Sequence, residues 1–270
     1  MEVDVVMWAK NSAEYLHEVL PRIKEVVPGD CVHRYILVDD HSDDNTREVA
    51  REHGWEVYLN RGRGIPWAVE TALGQVDCEY FVSVEHDILL AENWWSAVTP
   101  KILEEDVACA QGVRLSLDPA LRAIEEYMYE RQGFFYVSFD NNIFKTDIIR
   151  KIGVPKDCPI CTDTILFKKL RKLGYRWIIV PEAVSLHISR VSLRKYLKHT
   201  YEMSMRCAHT PYCTSTTPLL TLLRIFLTSP IRALDIALKK KCPKVLYAYP
   251  AVRWYKLKAC LDWKRKCCSQ

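Results

Sequence analysis

The chain has 270 residues, 49% hydrophobic and 27% charged, which suits one large globular domain, alone or with an appendage. A formal net charge of +4 is too small to point to nucleic acid, though carboxylates gather in the first two-thirds and Lys and Arg in the last. MEVDVVMW leads into a strand pattern rather than a secretory signal, and the most apolar stretch, residues 217–238, is interrupted by Arg224, Pro230 and Arg232. The expectation is a cytoplasmic protein, with peripheral contact to the membrane face still open.

VDVVMWA (3–9) reads as a buried strand, and residues 11–27 as an amphipathic helix capped by Asn11 or Ser12. RYILVDD (34–40) is a second apolar strand, followed by a polar turn at Asp44, Asn45 and Thr46 and a helix that Gly54 ends. WEVYLN (55–60) is a third strand, and GIPWAVETALGQV (64–76) a helix with Pro66 in its first turn. EYFVSVEHD (79–87) is a fourth strand, followed by a helix over 92–105. Strands alternating with helices predict an α/β fold with a parallel sheet covered on both faces. Further on, strand-like ACAQGVRL (108–115) and YVSFDNNIF (136–144) flank a helix at 118–133. TDTILFKKLRKLGYR (162–176) is a helix, and WIIVPEAVSLH (177–187) a strand ending in His187.

In such a sheet ligands bind beyond the carboxyl ends of the strands. Asp39 and Asp40 fall there after the second strand, Arg61 and Arg63 after the third, and Glu85 and Asp87 after the fourth. Side chains two apart on an extended strand point the same way, so Glu85 and Asp87 would repel unless a cation lay between them. Asp39 or Asp40 can accept bonds from a base or ribose, and Arg61 and Arg63 can reach a diphosphate. Glu85 and Asp87 can hold Mn2+ or Mg2+. A dinucleotide-binding domain is disfavoured, because WAKNSAEYL after the first strand has no glycine where G-x-G-x-x-G is required.

Eleven cysteines, odd in number and scattered, argue against a secreted disulfide framework. Cys158 and Cys161, with Cys207 and Cys213, offer a zinc set, against buried thiols or the disulfides of hyperthermophile proteins. Asn141 and Asn142 either line an acceptor or form a turn.

VDVVMWAKN, VDDHSDDNT, NRGRGIPWAVETA, EHD, and TDTILFKKLRKLGYR followed by His187 together resemble the family-two glycosyltransferases of the GT-A fold. The resemblance covers residues 3 to about 190, as one domain over 1–190, with a basic helical extension over 191–270. VDDHSDDNT is similar to the family's VDDGSTDxT, and EHD stands at its D-x-D metal motif with Glu for the first Asp. Thr162 replaces the Glu of the family's E-D-x-x-L helix, and Asp163 is retained. The resemblance implies a UDP- or GDP-sugar donor, a divalent metal and inversion at the anomeric carbon. It places Ala9, Asn11, Asp39, Asp40, Arg61, Arg63, Glu85 and His86 around the donor. Asp87 would be the main metal ligand, with Glu85 beside it and His187 as a second ligand or a diphosphate contact. Asp163 would be the base, although Asp at a helix start is also a common cap. The Q-x-x-R-W motif of processive synthases is absent after Asp163, which favours transfer of one hexose.

The basic C-terminal third places apolar and aromatic faces among Lys and Arg. This fits helices in an anionic membrane interface, or packing on the catalytic domain, or a dimer contact. Family members that use polyprenyl-phosphate carry such helices, which inclines the reading to a lipid-linked acceptor. The rival readings are a catalytically silent nucleotide-sugar-binding relative and a sugar-nucleotide pyrophosphorylase. The latter lacks its glycine-rich loop after the first strand.

Overall fold

The computed structural model describes residues 1–132, 137–156, 161–189, 192–207 and 219–268. Its first half alternates as expected: β1 (Val3–Ala9), α1 (Ala13–Val26), β2 (Val32–Asp39), α2 (Thr46–Glu52), β3 (Glu56–Leu59), α3 (Ile65–Leu73) and β4 (Tyr80–Val84). β1 lies parallel between β2 and β4, with β3 parallel outside β2. The chain steps outward from β1 to β3 and then returns to the far side of β1. In open α/β sheets such a reversal of strand order, here at the carboxyl ends of β1 and β4, is where ligands bind.

β1 is apolar almost throughout because both of its faces are covered. Val3, Val5 and Met7 pack in one core with Leu16, Val19, Leu20 and Ile23 of α1. Val6 and Trp8 pack in another with Ala68, Val69 and Ala72 of α3. Alternating side chains point to opposite faces, so a strand between two helical layers cannot alternate with polar residues. The exception is Asp4, which is wholly buried. Its Oδ2 accepts the backbone N–H groups of Asp77 (2.6 Å) and Cys78 (3.0 Å), and its Oδ1 lies 3.0 Å from His33 Nδ1. Asp4 thus fastens the opposite end of the sheet. Burial and the Asp4 charge together push the Cys78 thiol up to about 12.

The second half adds β5 (Ile88–Leu89), α4 (Trp94–Ile102), β6 (Val107–Ser116), α5 (Pro119–Gln132), β7 (Asn141–Lys145), α6 (Thr146–Ile152), α7 (Thr162–Lys172) and β8 (Arg176–His187). The eight-stranded order is β3-β2-β1-β4-β7-β6-β8-β5. In this half, where no strand–helix alternation called for parallel pairing, β7 runs antiparallel between β4 and β6, and β5 antiparallel to β8. Asn141 and Asn142 form neither a turn nor an open acceptor wall. Both are fully buried strand residues, Asn142 Nδ2 donating to Ser138 O (2.7 Å) and Asn141 Nδ2 to Val113 O (3.2 Å).

Two compact units emerge, Met1–Arg114 with Phe135–Ser189, and Leu115–Phe134 with Arg190–Gln270. The second gathers α8 (Leu193–Cys207), α9 (Leu219–Leu227), α10 (Ser229–Lys239) and α11 (Val245–Cys268) together with α5. Its core joins Ala120, Ala123 and Tyr127 of α5 to Ala233 and Ile236 of α10 and to Val245, Ala248 and Tyr249 of α11. No described helix is long and apolar enough to cross a membrane. Cys158, Cys213 and the side chain of Cys207 lie outside the described residues, and with them the zinc set.

Candidate active site

The loops after β1 and β2 are joined by hydrogen bonds. Asn11 sits at φ 49°, a left-handed conformation that Asn tolerates. Its N–H donates to Ser42 Oγ (2.9 Å), and its Oδ1 accepts from Asp43 N (2.8 Å). Asp44 accepts from Ala13 N (3.1 Å) and Thr46 N (3.0 Å), so the expected turn also holds the start of α1. Neither expected cap of α1 acts through its side chain on the helix: Ser12 Oγ donates back to Lys10 O.

Asp39 and Asp40 divide their work. Asp39 is buried and accepts from Ser42 N (3.2 Å), with Arg47 Nε 3.8 Å away. Asp40 accepts from Asn60 Nδ2 (2.7 Å) and from Gly64 N at 3.1 Å on both oxygens, clamping the loop after β3. Glycine is needed twice in that loop. A Cβ on Gly62 would meet Trp67 Cγ at 2.4 Å, and Gly64 has φ 80°. Arg61 and Arg63 stand exposed on this clamped backbone.

The acidic tip does not continue the strand. β4 stops at Val84, and Ile88 N donates to Glu85 O (3.1 Å), closing a turn over Glu85–Ile88. Glu85 and Asp87 are therefore not adjacent on one strand face, because the chain has already turned between them. Asp87 is buried, its Oδ2 accepting from His187 Nε2 (2.8 Å) and Ser189 Oγ (2.6 Å). Its Oδ1 is buried without a hydrogen-bond partner. Arg114 Nη1 lies 2.9 Å from His187 Nδ1, and a guanidinium only donates, so Nε2 carries the proton toward Asp87. Arg114 also pairs with the buried Asp140. Burial acts to raise the Asp87 carboxyl, but the hydrogen bonds from His187 and Ser189 and the nearby imidazoles hold it well below the usual carboxylate range. The His86 ring rests tilted against Tyr15 of α1, centroids 6.2 Å apart.

Asp163 lies in the first turn of α7 and accepts from Thr164 N at 2.6 Å. Loss of water pushes its carboxyl up to about 6, the Thr164 N–H opposing this and the Glu85 charge adding to it. Glu85 thus acts electrostatically on the expected base.

Residues 4–172 match the sequence profile described as Glycosyl transferase family 2. The chain belongs to that family. No curated protein matches it in sequence. In fold, this family-two glycosyltransferase is similar to the mannosyltransferase PcManGT from Pyrobaculum calidifontis, solved with GDP-Man and Mn2+. The TM-score is 0.67 at 18% identity, over 97% of this chain and 86% of that one. It also resembles glucosyl-3-phosphoglycerate synthase from Mycobacterium tuberculosis, solved with Mn2+, UDP and glucosyl-3-phosphoglycerate (TM-score 0.55, 15% identity, 76% and 78% covered). A third is S. aureus TarS 1-349 with UDP-GlcNAc (TM-score 0.54, 12% identity, 98% and 92% covered). These likenesses establish the GT-A fold.

The glycosyltransferase's fold brings Asp87 to His187, but the ligand atoms of Glu85, Asp87 and His187 do not all lie within 4.8 Å of one another. Among the described residues only Asp4, His33 and Cys78 meet that spacing, at the other end of the sheet. Sequence reasoning missed Arg114, Asp140 and Ser189. The usable signal was an Arg inside a buried strand and an Asp beside two buried Asn, since such charges are rarely enclosed unless paired.

Proposed function

We propose that this glycosyltransferase moves one hexose from a UDP- or GDP-linked donor to an acceptor, with inversion at the anomeric carbon. The reading is carried by the family match over residues 4–172 together with the place of Asp163 in the first turn of α7. Loss of water pushes this partly buried carboxylate up to about 6, near the pH at which a general base works best. Asp163 would take the proton of the acceptor hydroxyl as that oxygen bonds to the anomeric carbon. The bond from that carbon to the diphosphate breaks on the opposite face, and the nucleoside diphosphate leaves. Asp87, with Glu85 from the same turn, would hold Mn2+ or Mg2+. His187 would join as a ligand only by giving up its Nε2 proton and its bond to Asp87, and otherwise orients that carboxylate. The orphaned, buried Oδ1 of Asp87 fits a cation, since an ionised oxygen without a partner is costly to bury. When bound, the ion neutralises charge building on the departing diphosphate. Arg61 and Arg63 would meet the diphosphate, while Ala9, Asn11, Asp39, Asp40 and His86 would line the nucleoside side.

The donors held by the similar structures, GDP-Man and UDP-GlcNAc, support a nucleotide sugar here. The basic helices favour a polyprenyl-linked acceptor and a peripheral place at the cytoplasmic membrane face. The test is incubation with UDP- and GDP-hexoses, Mn2+ and either a polyprenyl-diphosphate-linked sugar, whose hydroxyl needs the base, or a polyprenyl phosphate, which does not, following nucleoside diphosphate release and glycosylated product. Metal-dependent donor binding without transfer to any acceptor would favour the silent relative instead.

A further inference from the structure

The chemistry above leaves the helical unit unused. Within it, Arg194, Lys195, Lys198 and Tyr201 of α8 and Tyr255 and Lys258 of α11 line a cavity of about 540 Å³. Tyr201 donates to Asp262 Oδ2 (2.8 Å), and Lys258 Nζ stands 5.5 Å from the Tyr201 ring centroid, so the wall is braced. Among the described residues, Lys198 pairs with Glu202 at 3.9 Å, whereas Arg194 and Lys195 have no ion-pair partner. A pocket with this lining suits a phosphate group.

A second, independent feature indicates which phosphate. Leu220, Leu223 and Leu227 on α9, then Ile231, Leu234 and Leu238 on α10, are all exposed, Leu220 and Ile231 by 78% and 76%. Steps of three or four residues put each trio on one face of its helix. Between residues 219 and 261 the sequence holds nine Lys or Arg and a single acid, Asp235. That acid is already bound by Tyr127 and Lys239. A second copy of this unit would set like charges against one another, whereas anionic lipid complements both the cations and the aliphatic stripe.

We propose that the helical unit docks on an anionic lipid bilayer, the α9–α10 stripe entering the interface and the α8–α11 pocket taking a lipid phosphate. This deepens the membrane contact proposed above and does not depend on the transfer chemistry. Full-length protein is sedimented with phosphatidylcholine vesicles, with and without phosphatidylglycerol, while donor binding is measured in parallel. Binding is expected only with phosphatidylglycerol and falls as salt screens it. Combined Leu227→Ser, Ile231→Ser and Leu234→Ser, and separately Lys195→Glu with Lys198→Glu, should each weaken vesicle partitioning at least about tenfold. Circular dichroism and donor affinity should stay unchanged in both variants. Three results would each overturn the proposal: no vesicle binding at low salt, variants that sediment like the parent, or tight binding of inorganic phosphate by a protein that ignores vesicles. A dimer that the stripe substitutions dissociate, with no vesicle binding, would reassign the surface to self-association. Loss of donor binding in the parent would count against the transfer reading alone.

Discussion

Asp163 carries two consequences that pull against each other. Its carboxyl is raised in the folded state to about 6, so the stability it contributes is complete below the unfolded value near 4 and is lost as pH climbs through 6. At neutral pH the ionised form therefore costs the metal-free protein at most about 3 kcal/mol. Asp163→Asn should raise the apo melting temperature at pH 7.5, with the gain vanishing near pH 4. The same substitution should cut turnover on a hydroxyl acceptor at least about a hundredfold with donor affinity nearly unchanged. Parent activity should fall below pH 6 as the base is protonated. A lipid phosphate acceptor, already ionised, would soften both kinetic effects, whereas unchanged turnover on a proven hydroxyl acceptor would remove Asp163 from its role. Arg114, which reaches the proposed metal site through His187, is tested through stability. Arg114→Ala strips Asp140 of its ion-pair partner and His187 Nδ1 of its donor. Breaking a buried pair costs about 3–5 kcal/mol, so urea unfolding should show a loss near the lower end, given that Arg114 keeps some exposure. A loss under about 1 kcal/mol would mean the pair is not sustained in solution.

At the level of elements, legibility followed the length of the pattern. β1, β2 and β4 were readable because a strand between two helical layers must be apolar nearly throughout, and their polar ends mark the site. The turn at Glu85–Ile88 was not readable. Alternation of period two says which face a side chain takes and nothing about where the strand stops. β5, two residues long, and β7, which opens on two buried Asn, offer no periodicity at all. The pairing of Asp87 with His187, 100 residues apart, was legible only through the family resemblance. The pairing of Arg114 with Asp140 needed the antiparallel half of the sheet, which no local pattern encodes. Asp4 gives this level its own test. Asp4→Ala leaves two backbone N–H groups and His33 without their acceptor, at the end of the sheet away from the chemistry. Stability should drop by roughly 2–4 kcal/mol in urea unfolding, with kcat and KM unchanged below the transition. A matching loss of kcat in the folded protein would show that the two ends of the sheet are coupled.

For the whole molecule, chain order and spatial grouping disagree at one helix. α5 lies between two strands of the sheet in sequence, yet its apolar face packs in the core of the C-terminal helices. Polar contacts follow the same grouping: the Tyr127 hydroxyl donates to Asp235, and Lys240 Nζ lies 2.5 Å from Glu130 and 3.4 Å from Glu126. A boundary near residue 190 follows from the change to a basic helical pattern. The membership of α5 does not, since an amphipathic stripe names no partner. The consequence is that a chain cut after residue 189 keeps α5 but deprives Ala120, Ala123 and Tyr127 of the helices that bury them. Exposing that face should make the 1–189 fragment self-associate, eluting ahead of a monomer in size-exclusion chromatography. Replacing residues 117–134 of the fragment by a Gly-Ser linker should restore a monomer with the circular dichroism of the sheet unit, because the removed face is the source of the association. A 1–189 fragment that is monomeric and melts as high as the full chain would show that α5 does not need the helical unit to bury its face.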